Sequence, residues 1–100
     1  MQIQDDFDEL VKRAARGDRR AVGSIAIAFG PMILGEARVV LGEYANEDVD
    51  VLQDFLLFLI DARSFFHPGH GRAIPWMCRI VHAIAETRRT RNEWRADRGR

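Results

Sequence analysis

The sequence predicts an all-α protein, a compact bundle of about four helices, and three observations support this class. Apolar residues recur at three- and four-residue spacing along the chain, which is the period of an amphipathic helix. The alternation of β-branched and polar residues that marks a strand is missing. The chain has 100 residues, of which 47% are hydrophobic, enough for one domain with a modest core.

The first helix is predicted from about Asp5 to Arg16, with aspartates in its first turn that stabilise the positive end of the helix dipole. Gly17 suits the C-terminus of this helix, and Asp18 is a favourable N-cap for the next one. The apolar stripe of the first helix that should be buried in the core consists of Phe7, Leu10, Val11 and Ala14.

The second helix is predicted over residues 19–41, and Gly42 should end it. Gly30 and Pro31 lie in its middle, where the missing N–H of proline should kink or interrupt the helix. A loop over residues 43–47 should follow. No apolar run approaches the roughly 18–20 residues that cross a bilayer, so no membrane partner is predicted.

The third helix is predicted over residues 48–64 and the fourth over residues 73–92, with a Pro-Gly turn between them. We therefore predict one helical domain over residues 1–92. Residues 93–100 should form a basic, frayed tail or the start of a linker.

The zero net charge conceals an uneven distribution of charge along the chain. Residues 1–71 carry 7 Lys and Arg against 12 Asp and Glu, whereas residues 72–100 carry 8 Arg against 3 Asp and Glu. This division indicates two partners of opposite charge, or one face for protein and another for phosphate. The alternative is a helical domain whose arginines lie in a solvated tail.

A helical wheel of the third helix separates an apolar stripe, formed by Leu52, Phe55, Leu56 and Leu59, from an acidic face. Leu57 falls on this acidic face. An apolar residue among carboxylates is typical of a docking face that selects a basic protein partner. The alternative is a helix buried on nearly all sides, in which the fold covers the apolar residue. The candidate docking residues are Asp50, Gln53, Asp54, Leu57, Phe58 and Asp61.

The fourth helix has a core stripe of Trp76, Met77, Ile80, Val81 and Ile84, and its other side is basic. Arginine suits phosphate because its planar guanidinium donates two parallel hydrogen bonds, and such binding weakens as salt is added. The alternative is a solvated helix end whose arginines complement the helix dipole. The candidate nucleic-acid residues on this helix are Arg79, His82, Arg88, Arg89 and Arg91.

The turn before the fourth helix carries aromatic and histidine side chains that can stack on unpaired bases. Alternatively, Phe65 and Phe66 cap the core, and we expect one of the two to be buried. The candidate nucleic-acid residues of the turn are Ser64, Phe66, His67, His70 and Arg72.

The order of these motifs resembles region 2 of the extracytoplasmic-function sigma factors of bacterial RNA polymerase, over nearly the whole chain. The matching motifs are the Gly17-Asp18 step, the run Asp50-Val51-Leu52-Gln53-Asp54, the loop Phe66 to Gly71 and the run Trp76-Met77-Cys78-Arg79-Ile80. Ala83 and Thr87 depart from the family, which usually has Asn and Asp at these two places.

The resemblance implies a cytoplasmic transcription initiation factor domain with a sigma region 2-like fold. Its third helix would dock on the clamp helices of the β′ subunit in the RNA polymerase core. Its turn and fourth helix would hold the non-template strand of the promoter minus-ten element, and an anti-sigma factor would be a further partner. One alternative is a region-2-derived interaction module that binds polymerase or a regulator without reading DNA. Another is a duplex-binding helix-turn-helix, which the long Pro-Gly turn disfavours.

No catalytic site, cofactor or metal is predicted. The chain shows neither a nucleophile with its base nor a phosphate-binding glycine loop. His67, His70, Cys78 and His82 could converge on zinc, but their spacing matches no standard finger. The single cysteine excludes an internal disulfide and, with the absence of a secretory signal at residues 1–6, fits a cytoplasmic location.

Overall fold

The computed structural model describes residues 3–61 and 72–99, and every element in these two ranges is helical, which confirms the all-α class. The elements are α1 (Ile3–Ala15), α2 (Arg19–Leu41), a 3-10 segment (Gly42–Glu47), α3 (Asp48–Asp61) and α4 (Ala73–Arg98). The run from Arg19 to Asp61 has no break, because a 3-10 segment stands where a loop was predicted. The helices therefore number three if this run counts as one, and four if it is divided at the 3-10 segment.

Asp18 is the N-cap of α2, as the sequence predicted. The Asp18 carboxylate accepts hydrogen bonds from the backbone N–H groups of Arg20 at 3.0 Å and Ala21 at 3.3 Å. Arg13 donates to the same carboxylate at 3.0 Å, and this hydrogen bond holds the pKa of Asp18 below its ordinary value. Gly17 has a φ of 92°, and this left-handed conformation ends α1.

The predicted interruption at Pro31 does not occur, and α2 continues through the proline to Leu41. A proline inside a helix costs about 3 kcal/mol, because it removes a hydrogen bond and crowds the preceding turn. α2 packs against α1, α3 and α4, and it buries the side chains of Ile25 and Ile33 completely. Burial of this central helix outweighs the local penalty.

The core joins the helices through large side chains from each of them. The rings of Phe7 and Phe29 lie 4.3 Å apart between α1 and α2, and those of Phe55 and Trp76 lie 6.5 Å apart between α3 and α4. Val51, which lies outside the predicted α3 stripe, is fully buried, whereas Leu52 and Leu56 of that stripe are only half-buried. The wheel fails there because it treats each helix as facing a single neighbour.

The buried stripe of α4 also differs from the predicted one. Ile80 and Ile84 are only half-buried, whereas the small residues Ala73 and Ala85 are fully buried. Small side chains allow α4 to lie close to its neighbours. The buried residues of α4 are therefore those that face the neighbouring helices, whether they are large or small. Among residues of the predicted stripe, Trp76, Met77 and Val81 are buried as expected.

α4 continues to Arg98, beyond its predicted end at Asn92. The exposed last turns carry local contacts that stabilise a helix without a core. Arg89 lies 3.7 Å from Glu93 one turn later, and the Arg98 guanidinium lies 4.6 Å from the centre of the Trp94 ring.

The helical run from Arg19 to Asp61 is long and apolar enough to cross a membrane by length and composition, with an 18-residue stretch of mean hydropathy 1.6. The expectation that the chain lacks such a run is therefore wrong. The central helix of a globular core has the same composition, and α2 occupies that position here.

Candidate functional site

α3 presents one exposed leucine within a polar surface. Leu57 is 57% exposed, and Asp50, Gln53 and Asp61 on the same helix are exposed as well. Phe55, which is fully buried, holds α3 in this rotation. Leu57 is thus exposed, and the alternative of a helix in which the fold covers Leu57 does not hold.

Arg88 of α4 joins this acidic face and is held by three carboxylates. Its Nη1 lies 3.0 Å from Glu47 Oε1 and 3.7 Å from Asp50 Oδ2, and its Nη2 lies 3.1 Å from Asp54 Oδ2. Asn92 Nδ2 donates a hydrogen bond of 2.6 Å to the other oxygen of Glu47. We call Arg88, Glu47, Asp50 and Asp54 the Arg88 cluster.

The Arg88 cluster changes the roles that the sequence suggested. Arg88 was a candidate for DNA, and Asp50 and Asp54 were candidates for polymerase, yet they bind one another. The hydrogen bond that Arg88 donates to Glu47, followed by the contacts with Asp54 and Asp50, raises the pKa of Arg88 above its ordinary value. Its side chain is 24% exposed, so binding a phosphate would require it to leave these partners. With three carboxylates and one guanidinium, the cluster keeps a net negative charge.

Arg89 also has partners within the fold. Its Nη1 donates a hydrogen bond of 3.2 Å to the Val40 carbonyl in the last turn of α2, where carbonyl groups have no partner within the helix. It also lies 3.6 Å from Glu86 and 3.7 Å from Glu93. Arg88 and Arg89 therefore connect α4 to the end of α2, to the 3-10 segment and to α3.

Arg79, His82 and Arg91 are the exposed basic candidates within α4. His82 Nε2 lies 3.4 Å from Glu86 Oε2, so a carboxylate lies beside this imidazole. Arg91 lines a cleft of about 330 Å³ between α3 and α4, whose other walls are Asp54, Phe58, Ala83, Ile84, Thr87 and Arg88. The cleft adjoins the acidic residue Asp54 of α3, and its lining includes the small residues Ala83 and Thr87.

Phe58 was predicted at the docking face, and the structure turns it mainly toward α4. Its ring lies 6.1 Å from that of Trp76, and its side chain is half-buried. One edge of Phe58 lines the cleft, where it can contact a partner that enters between α3 and α4. Phe58 thus packs against α4, and it is the neighbour of the exposed Leu57 in the sequence of α3.

Arg72 stands directly before α4, where it contacts α1. Its Nε donates to Asp8 Oδ2 at 2.7 Å, and the N–H of Ala73 donates to Asp8 Oδ1 at 2.7 Å. Asp8 therefore acts as an N-cap for α4 from a distant part of the chain, a role that no local signal in the sequence indicates. The other turn candidates, Ser64, Phe66, His67 and His70, lie outside the described residues.

Cys78 and His82 line a second cleft, between α2 and α4, together with Glu36 and Arg79. Burial raises the pKa of the Cys78 thiol, and the negative charge of Glu36 adds to the effect. Within residues 3–61 and 72–99, no three metal-ligating side chains converge. His67 and His70, which completed the zinc hypothesis, fall in the range between these two segments.

The chain matches no protein-family model, and neither a curated protein nor a solved structure matches it. The fold and the site by themselves define an all-α protein with an acidic face around Leu57 on α3. The Arg88 cluster holds this helix against α4.

Proposed function

We propose that this chain is a sigma region 2-like domain of a transcription initiation factor, which docks α3 on the β′ clamp helices of RNA polymerase. The observation that carries the proposal is the exposure of Leu57, at 57%, among the carboxylates of α3. The order of motifs along nearly the whole chain supports the same assignment. A helical bundle of the region 2 type is part of the proposal.

Docking would combine apolar burial with charge selection. Covering Leu57, which is 57% exposed, is worth about 1–2 kcal/mol, and the carboxylates around it favour a basic partner over an acidic one. The Arg88 cluster retains excess negative charge, so it contributes to this selection while it fixes α3 against α4. The cleft beside Phe58 would receive a side chain of the clamp helices.

The docking half of the proposal is tested by Leu57→Asp, with Val49→Asp as the matched control. Val49 lies on the same helix and is 50% exposed, so both variants place an aspartate at a partly exposed site of α3. We expect Leu57→Asp to weaken binding to core polymerase at least tenfold, because a charge replaces the central apolar contact. Val49→Asp should bind as the wild type does. Equal binding by wild type and Leu57→Asp would refute docking through this face.

The promoter half of the proposal would use the turn over residues 64–72 and the exposed side chains Arg79, His82 and Arg91. Stacking on aromatic rings and contacts with phosphate would together hold the minus-ten non-template strand. Fluorescence anisotropy on a minus-ten single strand, with core polymerase present, measures this binding. Arg79→Ala and Arg91→Ala should each lower the affinity and flatten its dependence on salt.

A second candidate function is a region-2-derived interaction module that binds polymerase or a regulator without reading DNA. The engagement of Arg88 and Arg89 by acidic and backbone groups of the fold favours it, because two candidate phosphate ligands are already occupied. The two functions differ in the anisotropy assay. Polymerase binding without any affinity for the minus-ten strand would select the interaction module.

A further inference from the structure

α2 is apolar on two opposite sides, and only one of them is buried by the residues that the structure describes. Ile25 and Ile33 face the core, whereas Ile27 is 83% exposed and Val39 is 81% exposed. No charged residue occurs from residue 21 to residue 35. A helix that is apolar all round is normally covered all round. The outer face of α2 consists of Gly23, Ser24, Ile27, Ala28, Pro31, Met32, Gly35 and Val39.

Two glycines on the outer face have no packing partner among residues 3–61 and 72–99 that would require glycine. A Cβ atom at Gly23 or Gly35 would meet nothing within 4 Å, and neither glycine has a positive φ. Each costs the helix about 1 kcal/mol relative to alanine. Gly30, on the buried side, differs because a Cβ there would lie 4.0 Å from Leu52. Glycine at an exposed, unstrained helix position suits close approach by a second backbone.

We propose that the outer face of α2 binds a second copy of this chain, with the two α2 helices antiparallel around a two-fold axis near Pro31. Positions equidistant from this proline pair a large residue with a glycine, Ile27 with Gly35 and Val39 with Gly23. In such a pair, Ile27 of one copy lies at the axial height of Gly35 of the other, and Val39 lies at the height of Gly23. A bulky residue thus lies beside a missing side chain at both symmetric places, as an isologous interface requires.

Charges at the two ends of α2 support a second copy in the antiparallel orientation. Arg19 and Arg20, both exposed, begin the helix, and the exposed Glu43 lies just beyond its C-cap Gly42. Arg38, the basic residue near that end, is paired with Asp48 at 2.8 Å. An antiparallel pair brings the basic start of each helix beside the acidic end of the other, whereas a parallel pair would bring like charges together.

The dimer is independent of the proposed function and should be weak. The proposed contact uses the outer face of α2, whereas the proposed docking uses Leu57 of α3, so the two proposals rest on different exposed residues. A contact between two single helices is smaller than the roughly 1,200 Å² of stable interfaces. We therefore expect a dissociation constant on the order of 10 µM.

Sedimentation velocity on the full chain, from about 1 to about 200 µM, tests the proposal. The wild type should shift from monomer to dimer over this range. Ile27→Glu should remove the shift, and Val49→Glu, an exposed apolar position outside the face, should retain it. Arg20→Glu should weaken the dimer, and Arg20→Glu combined with Glu43→Arg should restore it, because the reversed charges again attract.

Gly35→Ala separates dimerisation from folding. Alanine has the higher helix propensity and meets open space in the single chain, so thermal unfolding at low concentration should show equal or greater stability. In the dimer the added methyl group obstructs Ile27 of the other copy, and the dissociation constant should rise at least fivefold. A wild-type chain that stays monomeric, or a Gly35→Ala dimer as tight as the wild type, would overturn the proposal. A lipid-binding face would also overturn the proposal. Its sign would be that the wild-type chain floats with neutral phosphatidylcholine vesicles and that Ile27→Glu abolishes this flotation.

Discussion

Replacing Arg88 by Met tests whether the Arg88 cluster holds the fold together. Methionine keeps the apolar stem of the side chain and removes the guanidinium that reaches Glu47 at 3.0 Å and Asp54 at 3.1 Å. A hydrogen bond to a charged group is worth about 1.5–3 kcal/mol, and partial exposure of the carboxylates reduces each here to about 1 kcal/mol. The substitution also leaves three carboxylates without their cation. It relieves one buried nitrogen, Nε of Arg88, that has no hydrogen-bond partner.

The expected loss of unfolding free energy is therefore about 2 kcal/mol, or a fall in Tm of about 8–16 °C for a chain of this size. Urea unfolding followed by circular dichroism measures it, at low and at high salt. The difference from wild type should shrink at high salt, because the pairs are partly exposed to solvent. Arg91→Met is the control, since Arg91 lines the same cleft and is exposed.

An Arg88→Met protein that unfolds within about 0.3 kcal/mol of the wild type would refute this reasoning. A double-mutant cycle with Asp54→Asn then identifies how much of the effect belongs to one pair. We expect a coupling energy of about 0.5–1 kcal/mol between these two residues. Coupling near zero would mean that Arg88 acts through its packing alone.

Three further predictions concern the core, a turn and the cysteine. Phe55→Ala should lower the unfolding free energy by about 3–5 kcal/mol, because it removes a fully buried ring between α3 and α4, and a loss below about 1 kcal/mol in urea unfolding would contradict that burial. Gly42→Ala should cost about 1 kcal/mol, because the residue has a φ of 59° at the end of α2, and equal stability in the same assay would exclude strain there. The Cys78 thiol should react with iodoacetamide more slowly than an unstructured cysteine, and its pH-rate profile should lie at higher pH, because a raised pKa lowers the thiolate fraction. Glu36→Gln should speed the reaction at a given pH, and an unchanged rate would remove Glu36 as a cause.

Local patterns were sufficient for the helical class, for the beginning of α2 and for the exposure of Leu57 on α3. Asp18 caps the helix that follows it, and this interaction spans only a few residues. Leu57 is exposed because the helical period turns it away from the buried Phe55 on the same helix. Such features depend on neighbours within one or two turns, so the order of residues contains the information that they need.

Contacts between distant residues decided the rest. Arg88 belongs to the acidic cluster because α4 packs beside α3 and the 3-10 segment, and Asp8 caps α4 from α1. α2 continues through Pro31 because burial against three other helices outweighs a local penalty. A helical wheel shows the direction in which a side chain points. The packing of the helices in three dimensions decides which residue the side chain contacts. It also decides whether an arginine contacts a carboxylate or solvent.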